Sequence, residues 1–414
     1  MSSESIVVVG AGITGVSAAE WLRRDGWVVT LVDPVRPGDP EQTSYGNAGL
    51  IARTSVVPVA TPSLTRKAPA MLLDPNSPLF LRWSYLPRLM PWLVPFLRNT
   101  TTARMHQIAR GLSDVTFDAN DQHRALYEGT GAEAHVAHGP YTILYTDRGA
   151  YDGDNLTREL RRQYDLVPEP LSRDELIERD PNLSAHYQFG TLYEDFNWIT
   201  APGPYVAALF AYFQAQGGTF RQAKVVDITP GDAPSVRLEG GEMLTGDKVV
   251  LAAGAWSSRL SKSLGLPIKL EAERGYHVAM HAPSFTAPQP YMLTDAKCVV
   301  TPMQGTLRAA GIAEFGGLHA PPSDKPPALI RKAVKRLYPQ LEFERSEVWM
   351  GRRPTTPDSL PSIGESPRAP GIIHAYGGQH IGLTIGPKLG RLSADIASGR
   401  RVNLDLTPFR PDRF

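Results

Sequence analysis

Residues 6–24 impose the strongest constraint on this chain: the apolar run Ile6-Val7-Val8-Val9 passes through Gly10-Ala11-Gly12-Ile13-Thr14-Gly15 into a helical pattern from Val16 to Arg24. A buried strand that delivers a G-x-G-x-x-G turn to a helix N-terminus is the arrangement that binds a dinucleotide pyrophosphate. Gly10 permits the tight turn, Gly12 lets backbone N–H groups approach the phosphates, and Gly15 allows the helix to pack close to the strand. A second strand, Val28 to Val32, ends in Asp33, whose carboxylate is suited to accepting hydrogen bonds from a ribose diol. NAD and FAD share this motif, so it implies a nucleotide site without choosing the cofactor.

The chain has 414 residues, room for about two or three domain-sized units. A hydrophobic content of 42% with 21% charged residues is that of a globular protein. The formal net charge of +1 gives no electrostatic reason to expect nucleic acid as a partner. A lone cysteine, Cys298, excludes an internal disulfide and a cysteine-rich metal or iron–sulfur site, and no metal is expected. The nucleotide motif starts too early for a charged segment and apolar run to precede it, which points to a cytoplasmic location. Residues 78–97 are rich in Leu, Trp and Phe, but Arg82, Arg88 and the prolines at 87, 91 and 95 argue against a spanning helix. They read as broken helices over a core, with peripheral contact at the inner face of the cell membrane as the alternative.

Beyond Asp33 the Pro-, Gly-, Ser- and Asn-rich stretch 34–49 reads as a loop near the nucleotide, and residues 61–130 read as helical. Tyr141–Tyr145 and Thr191–Glu194 read as strands. Pro204 is expected to open a helix ending near Gln216, followed by one strand over Thr219–Ile228. Lys248 to Leu251 form another buried strand, which brings Gly254 toward the same nucleotide. Residues 268–350 look strand-rich, with a basic, solvated helix around Arg331–Arg336. A final strand, Ile372–Tyr376, enters Gly377-Gly378-Gln379-His380-Ile381-Gly382, and a helix is expected from about Pro387 to Gly399. The two glycine turns suggest that both ends of the chain meet around one cofactor.

In order and spacing these segments resemble the FAD-dependent amino-acid oxidoreductases of the D-amino acid oxidase superfamily, most closely the bacterial D-amino acid dehydrogenases, over nearly the whole length. The resemblance rests on the first glycine motif with Asp33, Thr43 to Gly49, Val249 to Trp256, Arg274-Gly275-Tyr276, Arg308 to Glu314, Gly351 to Gly364, and Gly377 to Gly382. It implies an α/β fold: a Rossmann-like FAD-binding domain (1–60, 199–267 and 349–414) with an inserted substrate domain of sheet plus helices (61–198 and 268–348). The FAD would be non-covalent. Asn47 and Ala48 would lie near the isoalloxazine, with Ser44 and Gly49 also binding the cofactor, Val225 on the adenine side, and Gly378, Gln379, His380, Ile381 and Gly382 at the pyrimidine edge.

The activity implied is oxidation of a D-amino acid by hydride transfer from Cα to flavin N5, giving an imino acid and then a 2-oxo acid, with no acid–base residue required. A quinone or electron-transfer chain is preferred over oxygen as electron acceptor. The resemblance puts Arg353 on the substrate carboxylate, for which a guanidinium fork is matched, and extended geometry would turn Arg352 the other way. Tyr276, Tyr291 and His380 are further candidate substrate contacts. Arg352, His380 and the loop Trp198 to Pro202 depart from the dehydrogenase pattern and bear on the side chain accepted. A cyclic or secondary amine such as cis-4-hydroxy-D-proline or D-proline, sarcosine or glycine is an alternative substrate. A flavin-binding sensor or scaffold is an alternative without catalysis.

Overall fold

Strand β1 (Ser5–Val9) lies at the centre of a parallel arrangement that explains its uninterrupted apolar run. In the computed structural model, which describes residues 4–59, 61–74 and 77–414, β1 pairs in parallel with Lys248–Leu251 on one side and with β2 (Val28–Asp33) on the other. Thr219–Gln222 extends the sheet beyond β2; Ile372–Tyr376 and then the antiparallel Ser362–Glu365 extend it beyond Lys248–Leu251. Alternate side chains leave a strand on opposite faces. Ile6 and Val8 join a core built with helix α1 (Ile13–Arg24) and the helices Pro202–Ala215 and Gly382–Ala397, whereas Val7 and Val9 face the small antiparallel sheet of 225–245. Burial on both faces is what a parallel sheet requires.

A larger antiparallel-rich sheet holds Glu271–His281 between Arg345–Thr355 and Thr306–Phe315, and reaches through Cys298–Met303 and Tyr291–Leu293 to Val136–Tyr145 and Phe189–Ile199. The helix Lys325–Leu337 buries Ile330, Ala333, Val334 and Leu337 against one face of it. Helices Thr102–Thr116 and Ala119–Tyr127, expected within the substrate-binding part, instead add Ile108, Leu112, Val115 and Leu126 to the core beside the parallel sheet. Residue 60, at the first expected boundary, lies outside the described residues.

Four local differences from the sequence reading have physical causes. The stretch Thr219–Ile228 is two strands, Thr219–Gln222 and Val225–Thr229, which enter different sheets. The helix expected from Pro204 opens at Pro202, since proline is compatible with either early position. Leu86–Arg98 is one continuous helix despite Pro91 and Pro95. With Pro87 in its first turn, the four-residue spacing confines the missing donors to one stripe, and Asn99 Nδ2 donates to the Pro95 carbonyl at 3.0 Å. Among the described residues no helix is long and apolar enough to cross a membrane.

The fourth difference is the last helix, which starts at Gly382 rather than Pro387. Pro387 has no N–H for the carbonyl of Leu383, and the buried His123 supplies it: Nε2 lies 2.9 Å from Leu383 O. A carbonyl only accepts, so Nε2 carries the proton and Nδ1 accepts from the Tyr205 hydroxyl at 2.8 Å. Burial pushes the His123 pKa down to about 4, and it does the same for His374. Removing the His123 partner strands two buried groups, so His123→Leu is expected to destabilise the fold by about 2 kcal/mol. Because these imidazoles refuse protons that the unfolded chain accepts, stability is full above about pH 6.5 and falls as the pH drops through 4. Thermal unfolding of parent and variant across this range checks both statements.

Candidate active site

The first glycine turn is closed on one side and open on the other. Gly10 has φ +100°, and a Cβ there would lie 2.5 Å from Ala252 O; on Gly15 it would lie 1.8 Å from Gly10 O. Neither position admits a side chain. On Gly12 a Cβ would meet only Ser44 Oγ, at 3.3 Å. Ile13 N–H donates to Ser44 Oγ at 3.0 Å, and Ala11 N–H to Asp33 Oδ2 at 2.7 Å. Val35 N–H adds a 3.0 Å bond to Asp33 Oδ1; desolvation nonetheless raises the Asp33 pKa, with these backbone donors opposing it. Gln42 ties the following loop to the turn by donating to Ala11 O at 3.0 Å. Val225 opens its strand two residues after Ala223, whose N–H donates to Asp33 O at 3.0 Å. Gly254, φ +53°, follows Lys248–Leu251 beside β1 and has open space where its Cβ would be.

The second glycine turn stands next to the first. Helix Gly382–Ala397 crosses α1 so closely that a Cβ on Gly386 would lie 2.8 Å from Ile13 Cγ2, and one on Gly390 2.5 Å from Ser17 Cβ. Two helix N-termini are thereby brought side by side. Gln379 has φ +48° and a buried Oε1 without a partner among the described residues, while Ile381 N–H donates to Gly378 O at 3.0 Å. Gly382 has open space at its Cβ position. His380 is exposed, yet its pKa is lowered by desolvation first, with Glu273 opposing and Arg353 reinforcing the shift. An accessible yet desolvated ring lines a recess rather than the outer surface.

Three consecutive carbonyls hold the loop carrying Ser44, Asn47, Ala48 and Gly49. Arg308 Nη1 donates to Tyr45 O at 3.1 Å and to Asn47 O at 2.8 Å. His277 Nδ1 donates to Gly46 O at 2.9 Å, its ring stacked on Trp349 at 5.1 Å. Burial pushes Arg308 down to about 10; burial and then Arg308 push His277 down to about 3, so the ring is a neutral donor. Asn47 Oδ1 accepts from Gly49 N–H at 2.9 Å. Arg308 and Gly275 stand inside the motifs noted in the sequence, but their roles need tertiary contacts to be seen.

Arg353 shares this face. Glu273, Gly275 and His277 stand opposite Arg353, Gly351 and Trp349 across the antiparallel pair, so all six point to one side. Arg353 Nη1 donates to Glu273 Oε1 at 2.8 Å and to Ile312 O at 3.3 Å. Its guanidinium lies directly on Gly275, where an added Cβ would fall 2.3 Å from Cζ. Arg352 turns away as alternation requires, donating to Leu318 O at 2.6 Å with its Cζ 5.8 Å from the Trp256 ring centroid. The two candidate tyrosines are not brought to this site. Tyr276 and Tyr291 occupy the opposite face, in the core under Lys325–Leu337. Tyr276 donates to Glu314, accepts from Ser323 N–H at 3.0 Å and is pushed up to about 12, chiefly by burial; Tyr291 is raised by burial and Asp180. Alternation along Glu271–His281 decides this: Tyr276 adjoins Gly275 in sequence and is therefore on the far side of the sheet.

The chain matches the FAD dependent oxidoreductase family over residues 5–396 and belongs to it. It is 38% identical to a D-amino-acid oxidase of Bradyrhizobium diazoefficiens over 416 aligned positions, covering 99% of this chain and 98% of that protein. It is 29% identical to a D-amino acid dehydrogenase of Paramagnetospirillum magneticum, covering 99% and 98%. The structure of a glycine oxidase from Geobacillus kaustophilus superposes with a TM-score of 0.76 at 22% identity, covering 100% of both chains. The protein is thus an FAD-dependent oxidoreductase, and the residues present fit that cofactor. The Gly12 side of the first turn is open, and the orphaned Gln379 Oε1 stands in the second. Gly275→Ala must displace the Arg353 guanidinium while leaving both glycine turns intact. Flavin content equal to the parent's with about a hundredfold lower kcat/KM is expected, measured by steady-state kinetics on the purified variant.

Proposed function

We propose that this enzyme oxidises the Cα–N bond of a D-amino acid to an imino acid, which water hydrolyses to a 2-oxo acid. The observation that carries the reading is Arg353, laid on Gly275 and facing the same recess as His380; the 38% identical D-amino-acid oxidase agrees with it. Bound FAD supplies the hydride acceptor. The chain holds it non-covalently: Gly10 to Gly15 cradle the pyrophosphate, Asp33 the ribose, Val225 the adenine side, Gly254 the adjoining phosphate–ribose region. Ser44 would join the pyrophosphate turn beside Gly12 and Ile13, and Asn47, Ala48, Gly49 and Gly378 to Gly382 would surround the ring. Its one cysteine, Cys298, is buried in the far core of the larger sheet.

Arg353 takes the substrate carboxylate through Nε and Nη2, because Nη1 is occupied by Glu273 and Ile312 O. A desolvated recess favours the neutral amine that hydride loss requires, and His380, with its lowered pKa, adds no second positive charge at neutral pH. The flavin part is formed by 1–60, 199–267 and 349–414, and the substrate part by 61–198 and 268–348; every strand of the parallel sheet lies in the first set, whereas Arg345–Thr355 crosses the division and the helices Thr102–Thr116 and Ala119–Tyr127 pack with the flavin part. Anaerobic addition of D- and L-amino acids to the yellow holoprotein tests the reading. Bleaching by D-amino acids is expected, and Arg353→Met should keep the flavin yet lose about 30-fold or more in kcat/KM. Bleaching only by glycine, sarcosine or D-proline would shift the substrate to a secondary or unsubstituted amine, and no bleaching at all would favour a sensor or scaffold.

The electron acceptor we infer is a membrane quinone, reached by a cytoplasmic protein at the inner face of the membrane. Support comes from residues 75–113, which contain five arginines and no Asp or Glu. Within them Trp83, Met90, Val94 and Leu97 are exposed beside Arg88 and Arg98. Two copies of this chain meeting there would set arginine against arginine. Co-sedimentation with vesicles of phosphatidylglycerol, absent with phosphatidylcholine and lost in Trp83→Ser/Leu97→Ser, is expected; equal behaviour with both vesicle types would remove the membrane from the reading.

A further inference from the structure

The cation that takes the substrate carboxylate is already paired. Glu273 holds Arg353 Nη1 at 2.8 Å, and its second oxygen accepts from Thr355 Oγ1 at 3.2 Å; the Glu273 side chain is 7% exposed and that of Arg353 20%. The backbone reinforces the pairing. Register shifts between Gly275 and Tyr276, which face Ala313 and Gly311, so Ile312 is the extra residue of a β-bulge. Its φ of +62° is rare for a β-branched residue, and its carbonyl meets the same Nη1. Arg308, another cation on this face, is turned toward the carbonyls of Tyr45 and Asn47.

We propose that Glu273 is a specificity-determining residue: it cancels the charge of Arg353, so that the recess accepts amino acids of zero or positive net charge and turns away ligands with an uncompensated negative charge. The inference rests on Arg353 as the carboxylate site. The zwitterion is the form that enters: it brings its own ammonium, meets a neutral pair at no net electrostatic cost, and gives up the amine proton only after its carboxylate is seated. A dicarboxylic amino acid, or a 2-oxo acid without the ammonium, places an additional negative charge near the Glu273 carboxylate in a medium of low effective dielectric. The same residue thereby separates substrate from product, since oxidation and hydrolysis remove the ammonium and leave the anion. A lone arginine would instead retain the product.

The test uses the holoprotein and two ligands, pyruvate read by the perturbation of the flavin absorbance band and D-glutamate against D-alanine read by kcat/KM. Glu273→Gln keeps the side-chain shape and removes the charge. It should bind pyruvate about tenfold more tightly and raise the D-glutamate to D-alanine ratio by a similar factor. Thr355→Val, which leaves the charge in place, should change neither. Unchanged or weaker pyruvate binding in Glu273→Gln, or equal effects in the two variants, would overturn the proposal and leave Glu273 a structural partner. If Glu273→Gln does not hold flavin, the parent decides: kcat/KM at least about tenfold higher for D-lysine than for D-glutamate is expected, and equal values overturn the proposal. If no amino acid reduces the flavin, the functional reading fails, while the pyruvate titration still tests the charge of the pair.

Discussion

The close crossing of α1 and Gly382–Ala397 is the constraint on which the cofactor site depends. Glycine at 386 and 390 removes the side chains that would separate the helices from Ile13 and Ser17, and the two helix N-termini are brought together. Backbone groups from residues near both termini are thereby brought together, and FAD bound there would meet the positive ends of both helix dipoles. Everything between these segments in sequence, including the larger sheet, has to return the chain to that crossing.

The larger sheet contributes through one strand with two dissimilar faces. One face of Glu271–His281 carries Glu273, Gly275 and His277 toward the cofactor loop, and the other carries Arg274, Tyr276 and Val278 into the protein. On that second face Arg274, wholly buried, lies 3.1 Å from Glu314, which also meets Arg82 at 3.3 Å. A buried cation with a paired carboxylate is tolerated only when its geometry is held by further contacts, and the carbonyls of Ala320 and Pro321 provide them. The chemistry of one face is thus backed by a polar network on the other, and the strand cannot rotate without breaking both.

The parallel sheet, the two glycine turns and the long apolar strands were legible because their signals are local: glycine spacing, uninterrupted apolar runs, and small residues after a strand. Arg353 came from a motif, and Arg352 followed from alternation. Tyr276 stands on the face away from Arg353, which adjacency to Gly275 in sequence does not reveal until the partner strands are known. Glu273, Arg308 and His277 depend on pairing with residues about 80 to more than 250 positions away. No spacing rule reports such pairs. Pro387 misled for a related reason: a proline stops a helix only if its orphaned carbonyl finds no other donor.

That last exchange has an evolutionary consequence. His123 and Pro387 belong to different helices, yet one supplies the donor that the other lacks. A lineage that replaced Pro387 by a residue with an N–H would restore the ordinary helical bond and leave His123 needed only as the acceptor for the Tyr205 hydroxyl. One that lost His123 first would carry a buried carbonyl without a donor in the last helix. The order in which two distant codons change is therefore restricted.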